Sequence, residues 1–231
     1  MSRSSPLQSS HPWRGEVRVE SNGLQLEGTL DIPADARGLV LFAHGSGSSR
    51  HSSRNRHVAG VLRDARLGTF LFDLLTRQEE LWDTVVGNLR FDIALLATRL
   101  EIATRWAIED DRTAPLRIGY FGASTGAAAA LIAATTSELD VGAVVSRGGR
   151  PDLAQEALGK VRAPTLLIVG GADEAVIKLN EQAYARLVCV KRFEIVPGAT
   201  HLFEEPGALD RVAALAASWF AEHLPRREPR P

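Results

Sequence analysis

Six short apolar runs constrain the fold of this chain more than any other feature. They are Gly38–Ala43, Thr69–Asp73, Leu116–Phe121, Val141–Ser146, Thr165–Val169 and Arg192–Val196. A strand with one wet face alternates apolar and polar residues, whereas a strand covered on both faces need not. Short runs without alternation therefore predict interior strands of a parallel sheet. Helical stretches separate them. Leu89, Ile93, Leu96, Leu100, Ala103 and Ala107 recur at steps of four and three, which places them on one apolar stripe. Leu209, Val212, Ala216, Trp219 and Phe220 form another stripe after Pro206-Gly207. Strands and helices that alternate with right-handed crossovers give a doubly wound α/β sheet. Ahead of these, Glu16–Glu20 and Leu24–Asp31 flank Ser21-Asn22-Gly23. That turn chemistry predicts an antiparallel hairpin at the N-terminal end.

The 231 residues suit one domain, expected over 16–224, with tails over 1–15 and 225–231. Met1–Arg14 lacks the apolar segment of a secretory signal, and no window reaches the roughly 18 apolar residues of a membrane span. A net charge of −1 gives no bulk attraction to nucleic acid or to an anionic membrane, so neither is expected as a partner. Cys189 is the single cysteine, so no intrachain disulfide can form. A reducing, cytoplasmic setting is the corresponding expectation. No cofactor is expected. The glycine-rich loop after Ala43 lacks the G-K-[ST] ending of a phosphate loop, and G-x-G-x-x-G is absent. His44, His51 and His57 match no common zinc spacing, so no metal is expected either. Composition leaves the oligomeric state open.

In doubly wound sheets, ligands bind beyond the carboxyl ends of the strands. There the chain reads Gly122-Ala-Ser124-Thr-Gly126, between an apolar strand and the apolar stretch Ala127–Ala134. G-x-S-x-G in that setting predicts a sharp strand-to-helix turn that lifts the serine hydroxyl clear of the sheet. A serine needs a base to act as a nucleophile. Among the histidines, His201 alone follows a late strand run and precedes the last helix. An acid is expected between them, after another strand. Asp173 supplies it in Gly170-Gly-Ala-Asp173, with neighbouring Glu174 as its rival. The order Ser, Asp, His is the one expected for this arrangement. Two backbone amides would face the charge developing on a substrate oxygen: Thr125, opening the helix, and Ser46, in His44-Gly-Ser-Gly. The expected partner is a small acyl substrate. Arg50 and Arg54 follow the glycine-rich loop, and Arg147 and Arg150 follow Val141–Ser146. They have two readings: a clamp on a negatively charged substrate, or braces that pair with Asp and Glu to hold the loops.

Taken together, His44-Gly-Ser-Gly, Gly122-Ala-Ser-Thr-Gly126, Gly170-Gly-Ala-Asp173 and Ala199-Thr-His-Leu-Phe203 resemble the dienelactone hydrolase family of α/β hydrolases. The resemblance runs from about Glu16 to Leu224. It implies a compact hydrolase without a cap domain, and only a short segment separates Ser146 from Thr165. The dienelactone hydrolases proper use a cysteine nucleophile where this chain has Ser124. The resemblance with a serine therefore implies general ester hydrolysis through an acyl-enzyme. Thioester, lactone or amide hydrolysis and a non-catalytic binding role are the alternatives.

Overall fold

The computed structural model describes residues 12–225. The hairpin forms at one edge. β1 (Trp13–Ser21) pairs antiparallel with β2 (Leu24–Ile32). Asn22 and Gly23 both take positive φ, 48° and 80°, which suits a tight hairpin turn. β1 begins at Trp13 rather than Glu16. Trp13 pairs with Ile32 across the sheet, and the Arg112 guanidinium lies 4.2 Å from its ring. Residues 13–15 therefore belong to the sheet and not to a tail. The rest of that expected tail, 1–11, and the end from 226 lie outside the described residues.

The chain then alternates: β3 (Gly38–Ala43), α1 (Ser53–Asp64), β4 (Gly68–Phe72), α2 (Arg77–Val86), α3 (Ile93–Glu109), β5 (Arg117–Ala123), α4 (Thr125–Ala133), β6 (Ala143–Arg147), β7 (Thr165–Gly170), α5 (Glu174–Arg186), β8 (Lys191–Val196) and α6 (Ala208–His223). The sheet order is β1-β2-β4-β3-β5-β6-β7-β8. From β4 to β8 every pairing is parallel, and β2 joins β4 antiparallel.

β3 shows why the runs lack alternation. Leu39 and Leu41 pack with Phe70, Leu100 and Tyr120 on the face covered by α3 and α4. Val40 and Phe42 pack with Phe121, Val212 and Phe220 on the face covered by α1 and α6. Both faces are dry, so both parities are apolar. Tyr120 brings a hydroxyl into this core, and the Thr104 hydroxyl meets it at 2.7 Å.

Strand order also places the site. After β3 the chain moves outward to β4, then returns to put β5 on the other side of β3. The loops leaving β3 and β5 thus diverge, and a crevice opens between them at the carboxyl edge. Between β6 and β7 the chain makes only the short helical segment Pro151–Lys160, so no cap covers that edge among the described residues. No helix among those residues is long and apolar enough to cross a membrane.

Candidate active site

Ser124 stands between the last residue of β5 and the first of α4, with φ 50° and ψ −123°. A non-glycine residue enters that region only under constraint. The constraint comes from its neighbours. A Cβ on Gly122 would strike the Ala127 backbone, and one on Gly126 would strike the Ala43 and His44 carbonyls. The two glycines therefore let α4 start against β3 and β5 with no clearance. Ser124 occupies the cap position of α4 but makes no side-chain cap bond, which leaves its hydroxyl uncommitted. α4 itself is apolar all round and buried, as Ala127–Leu131 dictate.

Asp173 follows β7 and His201 follows β8. His201 Nδ1 lies 2.7 Å from Asp173 Oδ2. The carboxylate accepts only, so this bond assigns the ring proton to Nδ1 and leaves the Nε2 lone pair free. Glu174 starts α5 and is exposed; Asp173 is the carboxylate that meets the ring. The turn after β6 touches both other members. Gly148 (φ 50°) packs so closely that a Cβ there would stand 3.0 Å from the His201 carbonyl and 3.7 Å from its Cε1. Two residues on, the Arg150 amide donates to the Ser124 carbonyl at 3.0 Å. Asn180, fully buried on α5, holds this turn by donating to the Gly149 carbonyl at 3.0 Å. Asn180 is absent from the motifs, and nothing in the local sequence marks it for this role.

The glycine-rich loop after β3 flanks Ser124 on the other side. His44 is buried and structural. The Leu74 amide donates to its Nε2 at 3.1 Å, and its Nδ1 donates to the Gly45 carbonyl at 3.0 Å. Burial holds its pKa below the usual imidazole value. The expected oxyanion donors lie together, with a difference. The Ser46 amide donates to the Thr125 hydroxyl at 3.0 Å, so this donor is already engaged. The Thr125 amide opens α4 and has no intrahelical acceptor. Beside the loop lies a cavity of about 310 Å³ bounded by Gly45–Ser49, Leu75, Leu96, Glu80 and Arg90.

The arginines divide between the two readings. Arg50 pairs with Asp73 and, at 2.9 Å, with Glu27, while its own amide donates to Asp73 at 2.7 Å. Arg150 grips Asp152 with two bonds of 2.8 Å. Both are paired with carboxylates, as the brace reading requires. Arg54 meets the exposed Glu204 at 3.2 Å. Arg147 differs. It is 5% exposed, and among the described residues no carboxylate pairs with it. Its Nη2 reaches Asn55 Oδ1 at 3.4 Å, the Phe203 ring lies 5.8 Å away, and its Nε has no partner. Among the described residues no group of three His, Cys, Asp or Glu side chains gathers as a metal site.

An elbow serine, an Asp-His pair and a glycine-rich loop at the carboxyl edge of this sheet define an α/β hydrolase. The chain belongs to the dienelactone hydrolase family, whose sequence model matches residues 76–223. The crystal structure of a dienelactone hydrolase from Anabaena variabilis is 57% identical, covers 92% of this chain and 99% of that one, and superposes with a TM-score of 0.90. A Xanthomonas campestris α/β serine hydrolase without a lid shares the fold at 19% identity, 97% and 100% coverage and a TM-score of 0.72. A Mycobacterium tuberculosis protein, provisionally named a phosphoribosyl transferase, is 56% identical over 209 residues, which is 90% of this chain and 46% of that protein. The chain thus spans about half the length of that curated relative.

Proposed function

We propose that this hydrolase cleaves a small carboxylic ester through an acyl-enzyme. Ser124 Oγ attacks the carbonyl carbon while His201 Nε2 takes the hydroxyl proton. The Asp173 carboxylate holds the ring and stabilises the imidazolium. The C–O bond then breaks, and His201 returns the proton to the leaving alcohol. Water, deprotonated by the same nitrogen, attacks the acyl carbon; the bond from Oγ to the acyl group breaks, His201 returns the proton to Ser124 Oγ, and the acid leaves. The Thr125 amide and the start of α4 face the developing oxyanion. The Ser46 amide joins them by exchanging the Thr125 hydroxyl for the substrate oxygen.

The observation that supports this most is the His201–Asp173 bond at 2.7 Å, with the imidazole's other nitrogen unassigned. The cavity of about 310 Å³ beside the loop fits a small acyl group. A lactone is the second reading, favoured by the name of the 57%-identical relative, and the same steps open it. The transferase name belongs to a protein about twice as long, of which the shared segment makes up 46%.

A fluorophosphonate probe tests the reading. It should label the wild type on Ser124 and leave Ser124→Ala unlabelled. A panel of esters, thioesters, lactones and amides of small acids should give its highest kcat/KM with an ester or lactone. Labelling at another residue, or none, would refute the assignment.

A further inference from the structure

α2 inverts the usual pattern of a surface helix, which turns an apolar stripe inward and a charged face to water. Its inward side is acidic. Asp83, the one buried residue of the helix, takes the Arg90 guanidinium and accepts from the Leu89 amide at 2.7 Å. Glu79 accepts from Arg99 of α3 at 2.6 Å and closes a capping box with Thr76. Polar bonds therefore fix the helix, and the apolar side chains are left outside. Leu81, Trp82, Val85 and Val86 project outward, with Phe91 just beyond the helix. Trp82 is 59% exposed and Val85 86%. Among the described residues no other segment gathers as many exposed large apolar side chains. A contiguous apolar patch of several hundred Å² marks a contact surface.

We propose that this face is where two copies of the chain associate, α2 packing antiparallel on α2 about a two-fold axis. Charge favours a second copy as the occupant. Arg77, Leu81 and Val85 recur at steps of four, so an exposed cation continues the apolar stripe at its N-terminal end. The exposed Asp92 follows Phe91 at the other end. Antiparallel packing sets the Arg77 of each copy against the Asp92 of the other and opposes the two helix dipoles. A membrane-bound helix instead carries several Lys or Arg beside its apolar face. Area agrees. A stable contact buries roughly 800 Å² per partner around an apolar centre, and these five side chains supply a centre of that kind. Trp82 lies among them, and tryptophan is a residue type that carries binding energy. An isologous contact needs only this one patch on each copy. The same helix bounds the cavity through Glu80 and Asp83, so the contact lies beside the site without using a residue assigned to the chemistry.

Sedimentation velocity of the full chain from about 1 to about 100 µM tests this, a range in which weak contacts of this size associate. The wild type should approach twice the chain mass at the upper end. Val85→Glu and Trp82→Gln should each weaken the association by about tenfold or more. Val190→Gln, at an exposed apolar residue before β8, should leave it unchanged. Arg77→Glu and Asp92→Lys should each weaken it, and an equimolar mixture of the two should regain it, because the mixed pair again has opposite charges at both ends. Circular dichroism should show the variants folded; should one fail, Val85→Glu decides, since its side chain is the most exposed of the five. A wild type that stays monomeric at about 100 µM would overturn the proposal, as would a two-chain species that survives Val85→Glu or that Val190→Gln dissolves instead. A mixture that regains nothing would overturn the antiparallel arrangement. Monomers that float with phosphatidylcholine vesicles, and lose this in Val85→Glu, would give the face to a lipid surface.

Discussion

At Ser124 the backbone holds a conformation that costs on the order of 1–3 kcal/mol, and the packing of Gly122 and Gly126 enforces it. The acid is the more exacting test at this scale. Asp173→Asn keeps an oxygen near Nδ1 but removes the charge and permits the wrong tautomer. It should lower kcat by about 10³-fold or more. Glu174→Gln, on an exposed side chain, should leave kcat within about twofold. The reverse pattern would move the acid role to Glu174. His44 gives a prediction in pH. Its folded pKa lies below the ordinary 6.5 because burial disfavours the cation. Between the two values the unfolded chain binds a proton that the folded chain refuses. Stability should therefore fall as pH drops below 6.5 and be unaffected by this group above it. Urea unfolding from pH 8 to 5 should show that loss, and His44→Gln should flatten it. An identical slope in both proteins would contradict the assignment.

Among the elements, the junction of β3, β5 and α4 carries the site. α4 begins where Gly126 meets the carbonyls of Ala43 and His44, backbone groups that cannot swing aside. Gly126→Ala should cost about 1–3 kcal/mol by overpacking, and it should cut activity further because the same shift moves Ser124. A stable, fully active variant would show that the close approach does not set the elbow. This junction is largely legible in the sequence. Gly38–Ala43 is readable to both ends because every residue in it is buried. G-x-S-x-G is readable because close packing demands glycine at both flanks. Other features have no local signature. The start of β1 at Trp13 depends on a guanidinium from far along the chain, and β1 otherwise alternates in burial. The bond from the Ser46 amide to the Thr125 hydroxyl depends on a rotamer across two loops. The arginines look alike in sequence; Arg50 is set apart by Asp73 and Glu27, Arg150 by Asp152 two residues on, and Arg147 by Asn55 on α1.

For the whole molecule, strand order determines which loops meet. β5 lies between β3 and β6, so the glycine-rich loop and the Arg147–Arg150 turn flank Ser124. β7 and β8 lie further along the same edge, and His201 returns across β7 to take Asp173 as its partner. Residues separated by most of the chain are thereby gathered at the carboxyl edge, with no cap over it among the described residues. The proposed covalent acyl group on Ser124 is detectable by mass spectrometry of the enzyme quenched during turnover of 4-nitrophenyl acetate. A fraction of the wild type should gain the mass of one acetyl group, mapped to the peptide containing Ser124, and His201→Ala should not gain it at a comparable rate. Turnover with no acylated enzyme at any time, or an acetyl group that maps elsewhere while Ser124→Ala stays active, would rule out Ser124 as the nucleophile.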